Sequence, residues 1–205
     1  MGARGFYSEG LQHKEFFMRT ALLLIDVQQS FRKRPYWSDE HVEAFLTRCN
    51  SLIAACVEAQ VPVVRILHVE GDPSKDNPFA VESGQVRALD GLIDFPAAAE
   101  FRKSRHSALV GTGLGVWLHQ QGIQRLIVAG IRTEQCCETT TRHASDEGWS
   151  VDYVSEATLT FDMQTLDGRR LTAREIVQRT EAVLSGRFAR ICTVADIQPS
   201  FAVLQ

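Results

Sequence analysis

The most constraining feature of this chain is a short, wholly apolar run that stops at a carboxylate: Ala21-Leu-Leu-Leu-Ile25, then Asp26. So short a run, with no polar alternation, suits a strand covered on both faces, as in a parallel sheet. The pattern recurs in Val61-Pro-Val-Val-Arg-Ile-Leu67, which ends at His68, and in Arg125-Leu-Ile-Val-Ala129, which ends at Gly130. Further strands are expected at 151–154 and 189–194, and a short one around 100–103. Helical periodicity fills the gaps. Over 39–60 the apolar residues Val42, Phe45, Leu46, Leu52, Ile53 and Val57 fall on one face. Helices are also expected over 113–121 closed by Gly122, 133–147 closed by Gly148, and 172–184 with Gly186 just beyond.

Strands that alternate with helices make right-handed βαβ units. The expected fold is therefore α/β: three αβα layers around a mostly parallel, Rossmann-like sheet. A chain of 205 residues with no internal linker is expected to form one domain over 18–205. Residues 1–17 are polar and aperiodic. They are read as a loose arm, or as lying upstream of a natural start at Met18. The stretch 70–96 is rich in Pro, Gly, Asp and Ser and reads as a long loop, a common place for function.

Charge narrows the partners. Lys and Arg number 22 against 25 Asp and Glu, a net charge of −3, which leaves no basic footprint for nucleic acid or an anionic membrane. No apolar run is long enough to span a bilayer and none resembles a secretory signal. The five cysteines, Cys49, Cys56, Cys136, Cys137 and Cys192, are odd in number and unsuited to a disulfide framework, so a reducing, cytoplasmic setting is expected. No Cys/His spacing suits zinc, and neither a metal nor a cofactor is expected.

Open parallel sheets bind ligands beyond the carboxyl ends of their strands. Asp26 stands at that edge, where a carboxylate is costly unless hydrogen-bonded or functional; its position alone fits a cap of the next turn equally well. Cys136 follows the strand ending at Gly130. With Thr133 as N-cap it falls in the first helical turn, where free amides and the helix dipole would lower a thiol pKa and make a nucleophile. The alternative is a small buried core residue, the expected role of Cys137. Lys103, in Phe101-Arg-Lys-Ser-Arg-His106, reads by itself as part of a solvated basic surface. His68 reads as a hydrogen-bonded histidine where a loop begins.

Together these segments resemble the isochorismatase-like cysteine hydrolases, the superfamily of nicotinamidase, N-carbamoylsarcosine amidohydrolase and isochorismatase. The resemblance rests on Leu22-Leu-Leu-Ile-Asp-Val-Gln28, on Lys103-Ser-Arg-His-Ser-Ala-Leu109 with Gly111-Thr112, and on Ala129-Gly-Ile-Arg-Thr-Glu-Gln-Cys136 followed by Cys137-Glu-Thr-Thr140. It implies a catalytic triad of Asp26, Lys103 and Cys136. It also implies a cis peptide between Ile131 and Arg132, and an oxyanion hole made by the backbone N–H groups of Arg132 and Cys136. Isochorismatase itself carries Gly at the nucleophile position, so Cys136 argues for covalent attack on a carbonyl. The Asp-x-His and later His that hold metal in nicotinamidases have no counterpart.

The expected activity is therefore cleavage of a C–N bond in a small amide or carbamoyl compound through a Cys136 thioester. Vinyl-ether or other non-covalent hydrolysis by Asp26 is one alternative. A non-catalytic redox scaffold using Cys136 and Cys137 is another. Gln28, Phe31, Trp37, His106 and Arg132 are candidate substrate contacts. Packing under the long loop or at a subunit interface is the other role for the two aromatics; an outward pairing with Glu134 or Asp162 is the other role for Arg132. The partners expected are a small-molecule substrate and further copies of the chain, in a homodimer or larger homo-oligomer.

Overall fold

Strand β1 (Thr20–Ile25) divides the molecule's core in two, because its side chains alternate between two apolar clusters. Leu22 and Leu24 enter one cluster with Phe45, Leu52 and Ile53 of α1 (Val42–Glu58). Ala21, Leu23 and Ile25 enter the other with Leu114 and Leu118 of α2 (Leu114–Gln120), Ala144 of α3 (Glu138–Asp146) and Leu184 of α4 (Ala173–Leu184). A strand buried on both faces must be apolar throughout, which accounts for the run that opens the ordered sequence. Each fully buried Leu there contributes roughly 2 kcal/mol.

A computed structural model describes residues 18–197 of the chain. The readings made above for 1–17 lie outside those residues, as does the segment 198–205. In chain order, β1 and α1 are followed by β2 (Val63–His68), β3 (Ala99–Lys103), α2 and β4 (Arg125–Ile131). Then come α3, β5 (Ser150–Leu159), β6 (Met163–Gln164), β7 (Arg170–Leu171), α4 and β8 (Arg190–Cys192). The main sheet has six strands in the order β3-β2-β1-β4-β5-β8, and every pairing in it is parallel. With helices on both faces, this is the mostly parallel α/β architecture that the alternating pattern predicts. None of the helices among the described residues is long and apolar enough to cross a membrane.

The chain runs from β1 outward to β2 and β3, then returns to build β4, β5 and β8 on the other side of β1. The order thus reverses between β1 and β4, and such a switch point opens a crevice at the strands' carboxyl ends. Asp26 follows β1 directly. A five-residue π-helical turn, Thr133–Cys137, follows β4 and leads into α3. Gly130 lets the two strand ends meet: it lies opposite Ile25 in the ladder, at φ 133°. A Cβ there would come within 1.9 Å of the Ile25 carbonyl oxygen, a clash no other residue escapes.

Three elements differ from the sequence reading. The helix expected over 133–147 opens with the π turn, and Arg132 rather than Thr133 takes the N-cap position. The Thr133 hydroxyl is instead engaged with Thr158 Oγ1 at 2.8 Å. Strand β5 continues past Val154 to Leu159, because its register with β4 shifts between Val128 and Gly130 and the strand resumes pairing at Thr158. The small β6–β7 hairpin was not expected, although Asp167-Gly168 between the two strands is a turn signature. The long loop 70–96 holds one 3-10 turn, Val81–Ser83. It is tied to the chain leaving β1 by the Gln28–Ala88 bridge and by the Leu89 N–H, which donates to the Val27 carbonyl at 3.0 Å.

Candidate active site

The ends of β1, β2, β3 and β4 bring the candidate residues together. Ile25 lies opposite Ile66, and the Asp26 N–H donates to the Ile66 carbonyl at 2.8 Å. Two residues further along β2, His68 lies directly opposite Lys103 of β3. Asp26 turns away from the strand at φ 55°, in the left-handed region that Asp tolerates better than most residues.

The Lys103 ammonium is the centre of the cluster. Its Nζ lies 2.7 Å from Asp26 Oδ2, 3.1 Å from His68 Nδ1, 3.1 Å from the Arg105 carbonyl and 3.2 Å from Cys136 Sγ. Ligand atoms of Asp26, His68 and Cys136 all fall within 4.8 Å of one another. A soft metal ion could use such a donor set, but here the ammonium occupies the middle of it. Asp26 is fully buried and Lys103 nearly so; a basic residue expected on the surface is thus drawn inside by its carboxylate. Neither Asp26 oxygen accepts a well-aligned hydrogen bond from a described residue, although the Lys103 ammonium and the Cys136 thiol both stand close enough to act on it.

Burial sets the protonation of the cluster. It pushes the Asp26 carboxyl above its usual range despite the neighbouring Lys103. Lys103 stays protonated: burial works against its charge, but Asp26 and Cys136 outweigh it and raise the ammonium's pKa. The Cys136 thiol is pushed up to about 12, first by burial and then by the Asp26 charge, with Lys103 pulling the other way. The lowered thiol pKa expected from a helix N-terminus is not what the structure gives. The π turn is buried and faces a carboxylate, and these effects exceed the dipole's. At rest the site therefore holds a thiol and an ammonium beside a carboxyl group whose hold on a proton is strengthened by burial.

The turn carrying Cys136 is fixed from several sides. The Tyr153 hydroxyl donates to the Thr133 carbonyl at 2.8 Å. Glu138 accepts from Arg142 at 2.9 Å, from Thr180 at 3.2 Å and from Arg179. The Ala108 N–H, from the segment after Lys103, donates to Thr140 Oγ1 at 3.0 Å. The Ile131–Arg132 peptide is cis. The Arg132 carbonyl accepts the N–H groups of Gln135 and Cys137, each at 3.2 Å, while neither the Arg132 nor the Cys136 N–H donates to a described residue outside the turn. Cys137 is fully buried in the core, and all five cysteines are free thiols.

The candidate substrate contacts separate. His106 is exposed, with Nδ1 3.8 Å from the Cys136 sulfur. Gln28 is fully buried, and its carboxamide is engaged with the backbone of His68. Phe31 lies beneath the long loop with its ring edge on Phe79 at 5.0 Å. Trp37 rests on Phe161 at 5.0 Å and donates to Asp39 at 2.7 Å. Arg132 pairs with Glu134 at 2.8 Å, but does not point outward: it is 4 % exposed, and its guanidinium stacks over Tyr36 at 4.4 Å. Asp162 is engaged elsewhere, with Arg170 and the Ala173 N–H.

Sequence reasoning took His68 for a hydrogen-bonded histidine at a loop entry and passed over Tyr36, Phe79 and Phe161. His68 carried a usable signal, because it ends the second apolar run as Asp26 ends the first. Phe79 lies in the aperiodic loop and carried none. A groove between α1, β5 and α4, lined by Phe45, Leu159 and Val177 among others, contains none of Asp26, Lys103 and Cys136.

A parallel α/β sheet thus brings Asp26, Lys103 and Cys136 together at its switch point. The isochorismatase domain model matches residues 20–192, and the chain belongs to the isochorismatase family. It is 25% identical over 188 residues to the Bacillus subtilis isochorismatase family protein YrdC, covering 89% of this chain and 96% of that one. It is 29% identical over 153 residues to nicotinamidase 3 of Arabidopsis thaliana, covering 69% of this chain and 74% of the relative. The crystal structure of an isochorismatase-family hydrolase from Chromobacterium violaceum superimposes with a TM-score of 0.81 at 28% identity, over 99% of this chain and all of that one.

Proposed function

We propose that this isochorismatase-family hydrolase cleaves a C–N bond of a small amide or carbamoyl compound through a thioester on Cys136. The observation that carries the reading is the contact of the Lys103 ammonium with both Asp26, at 2.7 Å, and the Cys136 sulfur, at 3.2 Å. A resemblance to a nicotinamidase, an enzyme named for acting on an amide, agrees with it.

The thiol gives its proton to Asp26 as its sulfur attacks the substrate carbonyl; burial has already made that carboxylate a stronger base than usual. Lys103 offsets the negative charge passing between sulfur and carboxylate. The N–H groups of Arg132 and Cys136 hold the oxyanion, each worth roughly 3 kcal/mol in sites of this kind. Protonated Asp26 then donates to the departing nitrogen, the C–N bond breaks and the thioester remains. Water loses a proton to Asp26 and attacks the thioester carbonyl; the acid product leaves, and the proton returns to sulfur.

A screen for ammonia release over small primary amides and carbamoyl compounds, with Cys136→Ala as the blank, tests this reading. A hit lost in Cys136→Ala, with an acyl mass trapped on the Cys136 peptide, supports it. Full turnover by Cys136→Ala would return the chemistry to a non-covalent route through Asp26.

A further inference from the structure

The Lys103 ammonium has three hydrogens but faces four acceptor atoms: Asp26 Oδ2, His68 Nδ1, the Arg105 carbonyl and Cys136 Sγ. The aligned contacts go to His68, Arg105 and Cys136. The carboxylate has the shortest contact, at 2.7 Å, but the least aligned one, so that four acceptors compete for three hydrogens. One of the three hydrogens is thus directed at a histidine to which the mechanism above gives no role.

We propose that His68 is a positioning residue for the triad: by taking one hydrogen of the Lys103 ammonium it withholds that hydrogen from Asp26, leaving the carboxylate free to accept the Cys136 proton. The proposal rests on the cysteine-hydrolase reading. It requires a neutral imidazole with a lone pair on Nδ1. Burial, then Lys103, His106 and Arg34, hold His68 down to about 4, so the ring is neutral across the working range. The ring is also fixed in place. The Gln28 carboxamide clamps its backbone, the ring lies edge-on to Phe79 at 5.5 Å, and its Cα lies opposite that of Lys103. The groups acting on Asp26 are Lys103 first, then the Cys136 thiol as hydrogen-bond neighbour and His106.

Alkylation of Cys136 by iodoacetamide reads proton transfer from the thiol without a known substrate. Its rate, followed by peptide mass from pH 5 to 10, is compared among wild type, His68→Leu, His68→Asn and Asp26→Asn. In His68→Leu the freed hydrogen turns to Asp26. That lowers the carboxylate's hold on a proton and slows alkylation at neutral pH about tenfold. His68→Asn loses the ring packing against Phe79 but keeps an acceptor near the position of Nδ1, and stays within about threefold of wild type. Loss of packing alone would shift a urea midpoint without moving the alkylation pH profile of the folded protein. If His68→Leu alkylates as fast as wild type, or if His68→Asn is as slow as His68→Leu, the proposal falls. Should His68→Leu fail to fold, His68→Met removes the same acceptor and is read in the same way. If Asp26→Asn alkylates like wild type, Asp26 is not the proton acceptor, and the hydrolase reading falls together with the role of His68.

Discussion

Gln28 grips His68 by both halves of its peptide backbone: Gln28 Oε1 accepts the His68 N–H at 2.7 Å, and Gln28 Nε2 donates to the His68 carbonyl at 3.0 Å. The same Nε2 reaches Ser30 Oγ at 2.9 Å. The glutamine two residues after Asp26 therefore locks the exit of β1 to the end of β2. This sets the distance between Asp26 and the residues that face it.

Replacing Gln28 with Leu keeps the volume but leaves the buried His68 amide and carbonyl without partners. Each such loss costs about 1–3 kcal/mol, so Gln28→Leu is expected to lower stability by about 3 kcal/mol and to reduce turnover as the end of β2 shifts. Urea unfolding checks the first effect. A variant as stable as wild type would show that water or another residue satisfies His68.

Gly130→Ala is expected to be far more damaging than a single methyl group suggests. The added carbon would meet the Ile25 carbonyl, itself fixed in the β1–β4 ladder. Relief requires β4 to move away from β1, which separates the turn of Cys136 from Asp26. A loss of about 4 kcal/mol or failure to fold is expected, read as soluble yield and urea midpoint. Gly148→Ala, also at positive φ but with open space around its Cβ position, is the control and should cost about 1 kcal/mol.

Most of the sheet was legible because a strand buried on both faces cannot hide. The runs ending at Asp26, His68 and Gly130 each appear as a strand at nearly the expected place. The convergence of Asp26, Lys103 and Cys136 was legible through three motifs in order and not through their local surroundings. Lys103 sits in a basic stretch that argues for solvent, and only its pairing with Asp26 across two strands brings it inside. The protonation of Cys136 was misread for the same reason. A helix start in sequence implies free amides, but nothing local reveals a buried carboxylate contributed from a distant strand. Arg132 was legible only in part: its partner Glu134 was among those expected, while its stacking on Tyr36 depends on the path of the loop after β1.

Stability should fall on both sides of neutral pH. The unfolded chain takes up a proton on His68 near 6.5, whereas the folded chain does so only at about 4. Between those values the unfolded state holds more protons, so acidification destabilises the fold. The raised Asp26 carboxyl acts in the opposite sense, binding a proton in the folded state before the unfolded one. On the alkaline side, Cys56 and Cys136 ionise near 9 when unfolded and at about 12 when folded. Above pH 9 the folded state holds more protons, and stability drops as pH rises. Urea midpoints at about pH 5, 7.5 and 10 should peak in the middle. A midpoint that does not change between the upper two would contradict the burial of these thiols.

Arg132 offers a choice between a substrate clamp and a structural wall, and its neighbours decide the expected result. The guanidinium faces the Glu134 carboxylate at 2.8 Å, and Glu134 is anchored in turn by the Thr160 hydroxyl at 2.6 Å. A cation already matched by a buried anion has little charge to offer a substrate carboxylate, whereas losing it strands Glu134. Arg132→Leu alone should therefore cost about 3 kcal/mol. Arg132→Leu combined with Glu134→Leu should recover most of that, since an apolar pair of similar volume replaces a buried ion pair at little cost. Once a substrate is in hand, KM in the stable double variant separates the two roles. A KM close to wild type is expected for a wall made of Arg132, Tyr36 and Phe161. A KM raised a hundredfold with kcat retained would make Arg132 the group that holds the substrate.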